Sequence, residues 1–333
     1  MQTPSRPRRL LAGSAALTAA LLTLASCGAG TTDSTAAGGE KDAGGPTIRI
    51  AVGIDPSFAP LFLADAQGLW AEHGVKVQLV QFGKGGEGVD ALGAGQVQLA
   101  GNSDTTTIGV LQQTPSLRSL LVYEQSGRYL KVVLGPEIKS AAQIKKMAVV
   151  PGLSELAATR FLESKGIDPE TVDLVTADPP EIPALTRKGD VDAYVLWEPW
   201  PTKGVALGEQ ILETTGDFGL SYSHWLLTTD TWLKDNTATA VKVAQALQEA
   251  AEKTENDPDA AAEATKKATK IPTAQTVNAI KEIDFAVRDF TAEDLKAYDD
   301  TASFYLGTGK VKAKPDVSTA VLRGWSTEHL KGS

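Results

Sequence analysis

The 333-residue chain has one cysteine, three histidines and two methionines. A single cysteine excludes an intramolecular disulfide and a zinc site built on several thiolates. His73, His224 and His329 are far apart in sequence, so no His-rich metal motif is present. No metal, cofactor or catalytic group is expected. Cations are outnumbered: 32 Lys and Arg stand against 41 Asp and Glu, for a formal charge of -9. They are also scattered, which leaves no electrostatic footprint for nucleic acid. No stretch after residue 24 is apolar enough to span a membrane. What remains is ordinary globular composition, 42% hydrophobic and 22% charged. Wholesale disorder and fibrous repeats are out. The length suits two domains of about 150 residues each.

The first 26 residues read as a signal peptide. Arg6, Arg8 and Arg9 form a basic start, and Leu10 to Leu24 is an apolar run too short for a stable span. Leu24-Ala25-Ser26-Cys27 resembles a bacterial lipobox, so lipidation is expected at Cys27. The Arg8-Arg9 pair fits a twin-arginine signal poorly, and the general secretory route is preferred. Cleavage before Cys27 removes three arginines and no acid, taking the charge from -9 to -12. Residues 27–46, rich in Gly, Ala, Thr and Ser, read as a flexible tether. The expected location is extracytoplasmic, with a lipid anchor in the bacterial cell membrane.

From Thr47 strands and helices alternate. Ile48–Gly53, Val75–Val80, Val97–Ala100, Leu120–Tyr123 and Val132–Leu134 read as strands. Phe58–His73 reads as one helix closed by Gly74, and Val89–Ala94 as another. Asp104 is expected to cap a helix through Gln113. The pattern restarts at Lys146–Val150. A helix capped by Ser154 follows, then a strand at Val172–Val175, a helix at Ile182–Lys188 and a strand at Val191–Leu196. Helices near 238–256, 258–270, 273–283 and 291–305 close the chain. This order gives an α/β fold with mainly parallel sheets. Ala91–Leu99 and Ala184–Ala193 echo each other as helix end, Gly turn and strand, which points to two related lobes. In such sheets ligands bind at the carboxyl ends of strands.

Gly68-Leu69-Trp70-Ala71-Glu72-His73-Gly74-Val75, Ala91-Leu92-Gly93-Ala94-Gly95-Gln96-Val97, Gly101-Asn102-Ser103-Asp104 and Gly189-Asp190-Val191-Asp192-Ala193 with Trp197-Glu198-Pro199 occur in that order. Over roughly Ile48 to Leu306 they resemble the solute-binding proteins of ABC importers for nitrate, sulfonate and taurine. That family includes binders of thiamine-pyrimidine precursors. The resemblance implies a two-lobed periplasmic-binding-protein fold of type II. Its lobes are joined by two hinge strands, and the helical C-terminal region packs on lobe 1. It puts lobe 1 at 47–134 plus 220–333 and lobe 2 at 135–219. It further implies a monomer that captures a small solute and delivers it to a permease and ATPase. The alternatives are a pyrimidine-precursor binder, and an exported enzyme or sensor on the same fold. Asn102-Ser103 stands where the family more often has Thr-Gly, and Glu198 where Asp is commoner.

The resulting candidate site is Phe58, Asn102, Ser103, Asp104, Thr105, Gly152, Ser154, Glu155, Trp197, Glu198, Tyr222 and His224. Asp104, Glu155 and Glu198 face few cations there, with Lys84 and Arg128 the plausible ones. A bare anion would meet carboxylates at a cost of about 4 kcal/mol per close pair. A zwitterion such as taurine avoids that, its ammonium meeting Glu198 or Asp104 and the face of Trp197. Gly83-Lys84-Gly85-Gly86-Glu87-Gly88 matches a dinucleotide fingerprint, but it follows the second strand of the body and reads better as a loop at the cleft rim. Leu153-Ser154-Glu155 lacks the second glycine of a nucleophile elbow.

Overall fold

The structure, a computed structural model, describes residues 45–330. The expected signal peptide, Cys27 and the tether up to residue 44 lie outside the described residues. Among those described, no helix is long and apolar enough to cross a membrane.

The chain runs β1 (Thr47–Val52), α1 (Ala59–Gln67), α2 (Leu69–Glu72), β2 (Lys76–Gln81), α3 (Gly85–Gly93), β3 (Leu99–Ser103), α4 (Asp104–Val110) and β4 (Leu117–Ser126). It continues through β5 (Lys131–Leu134), β6 (Lys146–Val149), α5 (Leu153–Ser164), β7 (Asp173–Thr176), α6 (Ile182–Lys188), β8 (Ala193–Leu196), α7 (Trp200–Ala206) and β9 (Gln210–Thr214). Then come β10 (Tyr222–Thr229), α8 (Asp230–Asn256), α9 (Pro258–Thr269), α10 (Thr273–Ile280), α11 (Ala292–Gly307) and α12 (Trp325–His329).

Two five-stranded sheets result, ordered β2-β1-β3-β10-β4 and β7-β6-β8-β5-β9. In the first, β10 alone runs against its neighbours. In the second, β5 alone does so. Each reversed strand is the one that arrives from the other sheet. The expected lobe boundary after Leu134 therefore falls one strand late. Lys131–Leu134 pairs with β8 and β9, so its hydrogen bonds belong to the second sheet.

Side-chain periodicity explains how the helices pack. In α8 the buried residues Ala240, Val243, Ala244, Leu247, Ala250, Ala251 and Thr254 recur every three or four positions. Small residues there and at Ala261, Ala262 and Ala264 of α9 share one core with α1 and the first sheet. On the opposite face Tyr298, Ala302 and Tyr305 of α11 pack with Ile108 and Trp225.

Three local expectations change. The Phe58–His73 helix is two helices, because Gly68 adopts φ 74 between them and ends the first with a left-handed cap. The N-cap of α4 is Ser103, whose hydroxyl accepts from Thr106 N, and α4 ends at Val110, short of Gln113. The N-cap of α5 is Gly152, because the buried Ser154 hydroxyl donates to Val195 O at 2.6 Å and accepts from Val150 N at 3.1 Å.

The two crossings touch at paired glycines. Gly216 N donates to Gly127 O at 2.5 Å and Thr215 Oγ1 donates to the same oxygen at 3.1 Å. A Cβ on Gly216 would lie 2.9 Å from Gly127 O. That is backbone, which cannot swing away. Gly216→Ala is expected to destabilise the fold by about 1–3 kcal/mol, read as a lower midpoint in urea. An unchanged midpoint would contradict this packing of the crossings.

Candidate functional site

The parallel strands of both sheets end at one cavity of about 540 Å³. Segments after β1 (Gly53–Phe58), β2 (Gly83–Glu87) and β3 (Asn102, Ser103) line it from one side. Segments after β6 (Val150, Pro151, Leu153 and Ser154), β7 (Asp178–Pro180) and β8 (Trp197, Trp200) line it from the other. Tyr129 and Leu130 on the first crossing, and Tyr222 and His224 on β10, complete it. This is where open α/β sheets expose unsatisfied strand ends and helix starts.

Aromatic groups dominate the floor. The His224 ring lies 5.1 Å from Phe58, 5.5 Å from Tyr222 and 5.7 Å from Tyr123. Burial brings its pKa down to about 3, so the ring is neutral at physiological pH. Asp55 supplies the fixed polar group. Its Oδ1 accepts from Ser57 N at 2.9 Å, Ser57 Oγ at 2.7 Å and Tyr129 Oη at 2.9 Å. Burial pushes this carboxyl up, and the three donors pull it back. All three bonds fall on Oδ1, which leaves Oδ2 for a solute donor.

Of the expected site residues, Phe58, Asn102, Ser103, Ser154, Trp197, Tyr222 and His224 line the cavity. Asp104, Thr105, Gly152, Glu155 and Glu198 do not. Asp104 is turned inward: Oδ2 accepts from Ser223 N at 2.8 Å and Ser223 Oγ at 3.0 Å, and Oδ1 from Thr105 Oγ1 at 2.8 Å. The Thr105 carbonyl accepts from Tyr305 Oη. Glu198 is buried against Lys131, with Nζ 3.1 Å from Oε1, and Lys131 also holds Glu282. Glu155 pairs with Lys310 at 3.0 Å. These carboxylates bind neighbouring protein groups instead of facing the cavity.

Contacts also join the two sides of the cavity. Lys84, in the glycine-rich loop, pairs with Asp178 across it. The Cα of Gly152 approaches Thr106 so closely that a Cβ would fall 2.7 Å from Thr106 Oγ1. Gly85 makes similar room: a Cβ there would overlap Asn102 Oδ1.

Asp55, Tyr129 and Asp178 were not anticipated. For Asp55 a signal existed: Asp55-Pro56-Ser57 follows the first strand, where an aspartate caps a turn. Tyr129 gave none, since its role depends on a partner 74 residues away.

The model of the NMT1-like family matches residues 43–269. The taurine-binding periplasmic protein of Escherichia coli is 30% identical over 156 residues, 46% of this chain. The match spans only 49% of that relative's length. A putative aliphatic sulfonates-binding protein of Bacillus subtilis is 26% identical over 92% of each chain. The alkanesulfonate-binding protein SsuA from Xanthomonas axonopodis pv. citri, solved bound to MOPS, superposes with a TM-score of 0.74 at 19% identity. That superposition covers 83% of this chain and 98% of the other, and it establishes the shared fold, that of the periplasmic binding proteins.

Burial pushes Asp104 up to about 6 from an ordinary 3.8. Between those values the folded chain binds more protons than the unfolded one, so this residue favours folding below about pH 4 and loses that contribution as pH rises through 6. Two units correspond to roughly 3 kcal/mol. The stability difference between the native chain and Asp104→Asn should therefore change by roughly that amount from pH 4 to pH 7. Parallel urea series at several pH values check it; a constant difference would show that Asp104 titrates normally.

Proposed function

Because this chain belongs to the NMT1-like family, we propose that it is an extracytoplasmic solute-binding lipoprotein of an ABC importer. It captures a small organic sulfonate, taurine-like in carrying an ammonium, between its two lobes, and it works by binding without catalysis. The observation that carries this reading is the convergence of six strand ends from two sheets on one aromatic cavity. The named relatives bind taurine and aliphatic sulfonates, which supports the solute class. Lipidation at Cys27, delivery to a permease and ATPase, and a monomeric state are parts of the same proposal.

The lining fits a zwitterion. Among the described lining residues Lys84 is the one Lys or Arg, and Asp178 occupies it. Asp55 Oδ2 and the indole of Trp197 provide an ammonium site; the Trp200 ring already carries Lys203, whose Nζ lies 4.2 Å from its centroid. We assign the ammonium to Asp55, in place of Asp104 and Glu198, whose oxygens are taken by protein donors. The volume falls in the range of pockets for organic ligands, about 300–1,000 Å³, which favours an organic sulfonate over bare nitrate. Taurine, with about 7 heavy atoms, has an affinity ceiling near -10 kcal/mol. Micromolar binding requires about -8 kcal/mol, so nearly every atom must be contacted.

The aromatic floor supports a second reading, a flat aminopyrimidine stacked on Trp197. Calorimetry separates the two. Taurine should bind, and Asp55→Asn should weaken it at least about tenfold while leaving propanesulfonate nearly unchanged. Tight aminopyrimidine binding lost in Trp197→Ala, with no response to taurine or propanesulfonate, would replace the sulfonate reading.

A further inference from the structure

One buried carboxyl behind the floor has no part in the site described so far. Glu124 is 0% exposed, and neither oxygen has a well-aligned hydrogen bond among the described residues. An ionised carboxylate without donors is strongly disfavoured in such a place. The register explains how it reaches the cavity. Glu124 pairs with His224 across β4 and β10, but Trp225 pairs with Val122. Tyr123 is thus the extra residue of a bulge, which sets two residues of one strand against one of its partner. Both reach the same nitrogen: Tyr123 Oη lies 3.0 Å and Glu124 Oε1 lies 3.2 Å from His224 Nδ1.

We propose that this bulge fixes His224 as an Nε2–H donor to the anionic head of the solute, with Tyr123 and Glu124 as positioning residues behind it. The inference rests on the sulfonate reading for its ligand. Tyr123 Oη has no other partner among the described residues, and burial holds the phenol protonated. Its hydrogen therefore points at Nδ1. Glu124 Oε1, 3.2 Å away but not aligned for a hydrogen bond, adds no acceptor that would favour a proton on Nδ1 while its carboxyl stays protonated. Burial, with the negative charges of Asp55, Asp104 and Asp284 and against the lowering effect of the Tyr222 hydroxyl, holds its carboxyl well above the usual range. With Nδ1 accepting, the single proton of a neutral imidazole sits on Nε2.

The ring lines the cavity at 7% exposure, and Nε2 has no protein partner among the described residues. A neutral donor suits an anion here, since Lys84 is held by Asp178. A sulfonate oxygen on Nε2–H needs no fixed positive charge on the floor. Ionising Glu124 would draw the proton to Nδ1 and turn Nε2 into an acceptor, which repels that oxygen.

Nitrogen-15 spectra of the intact, histidine-labelled protein at pH 7 test this, with the His224 signals assigned by their loss in His224→Gln. The expected result is the Nε2–H tautomer, retained in Glu124→Gln, which cannot ionise and leaves the Tyr123 hydroxyl on Nδ1. Taurine and propanesulfonate are then titrated by calorimetry. His224→Leu should weaken both about tenfold or more, and His224→Gln should recover part of the loss. The Nδ1–H tautomer or an imidazolium would overturn the proposal while leaving the sulfonate reading intact. Full-strength binding of both sulfonates by His224→Leu would overturn it in the same way. If the native chain binds neither sulfonate, the solute reading fails and the role of His224 in it fails too. The tautomer measurement, made without ligand, shows which of the two has failed.

Discussion

The two chain crossings between the sheets set the architecture. β4 runs with β1 and β3 and ends at the cavity edge, so the strand that follows it must start there. β5 accordingly runs away from the cavity, against β6 and β8, which end at it. β9 and β10 repeat the relation in the opposite direction. Once each sheet accepts one reversed strand from the other, the carboxyl ends of the remaining strands face each other. The cavity is a consequence of that connectivity and would exist for many linings. Function is written in the short segments after β1, β2, β3, β6, β7 and β8.

Those segments divide their polar groups between two tasks. Asp104, Glu155 and Glu198 are bound to Ser223, Lys310 and Lys131, and they tie strand ends to neighbouring elements. Asp55 and His224 keep one polar atom each turned away from protein partners. The division follows from solvation. A carboxylate that is deeply buried must take protein donors, and one with its donors on a single oxygen can still offer the other. Lys84 and Asp178 join the two sides of the cleft. Such an exposed pair adds little stability.

Much of the fold was legible because its signals are local. Thr47 to Ile50 alternates, Gly189 stops a helix with φ 79, and Ala240 to Thr254 repeats at helical spacing. The restart near Lys146 reads directly as a second α/β unit. The site was legible only in part. Strand-end residues such as Asn102, Ser103 and Trp197 were found by position. The direction of a side chain was not, because Asp104 is turned by Ser223, 119 residues later, and Glu198 by Lys131, 67 residues earlier. The Tyr123 bulge was hidden for the same reason: it exists only in the register of β4 against β10. Gly68 was missed more simply, since Leu63 and Leu69 on either side of it kept the apolar pattern running.

The central claim is that one solute bridges two lobes that close on it. Closure by a ligand requires stronger contacts in the closed state than in the open one. Small-angle X-ray scattering of the folded chain, without solute and with saturating taurine, measures this directly. The account predicts a smaller radius of gyration with taurine. An unchanged radius in samples where calorimetry has confirmed binding would contradict it.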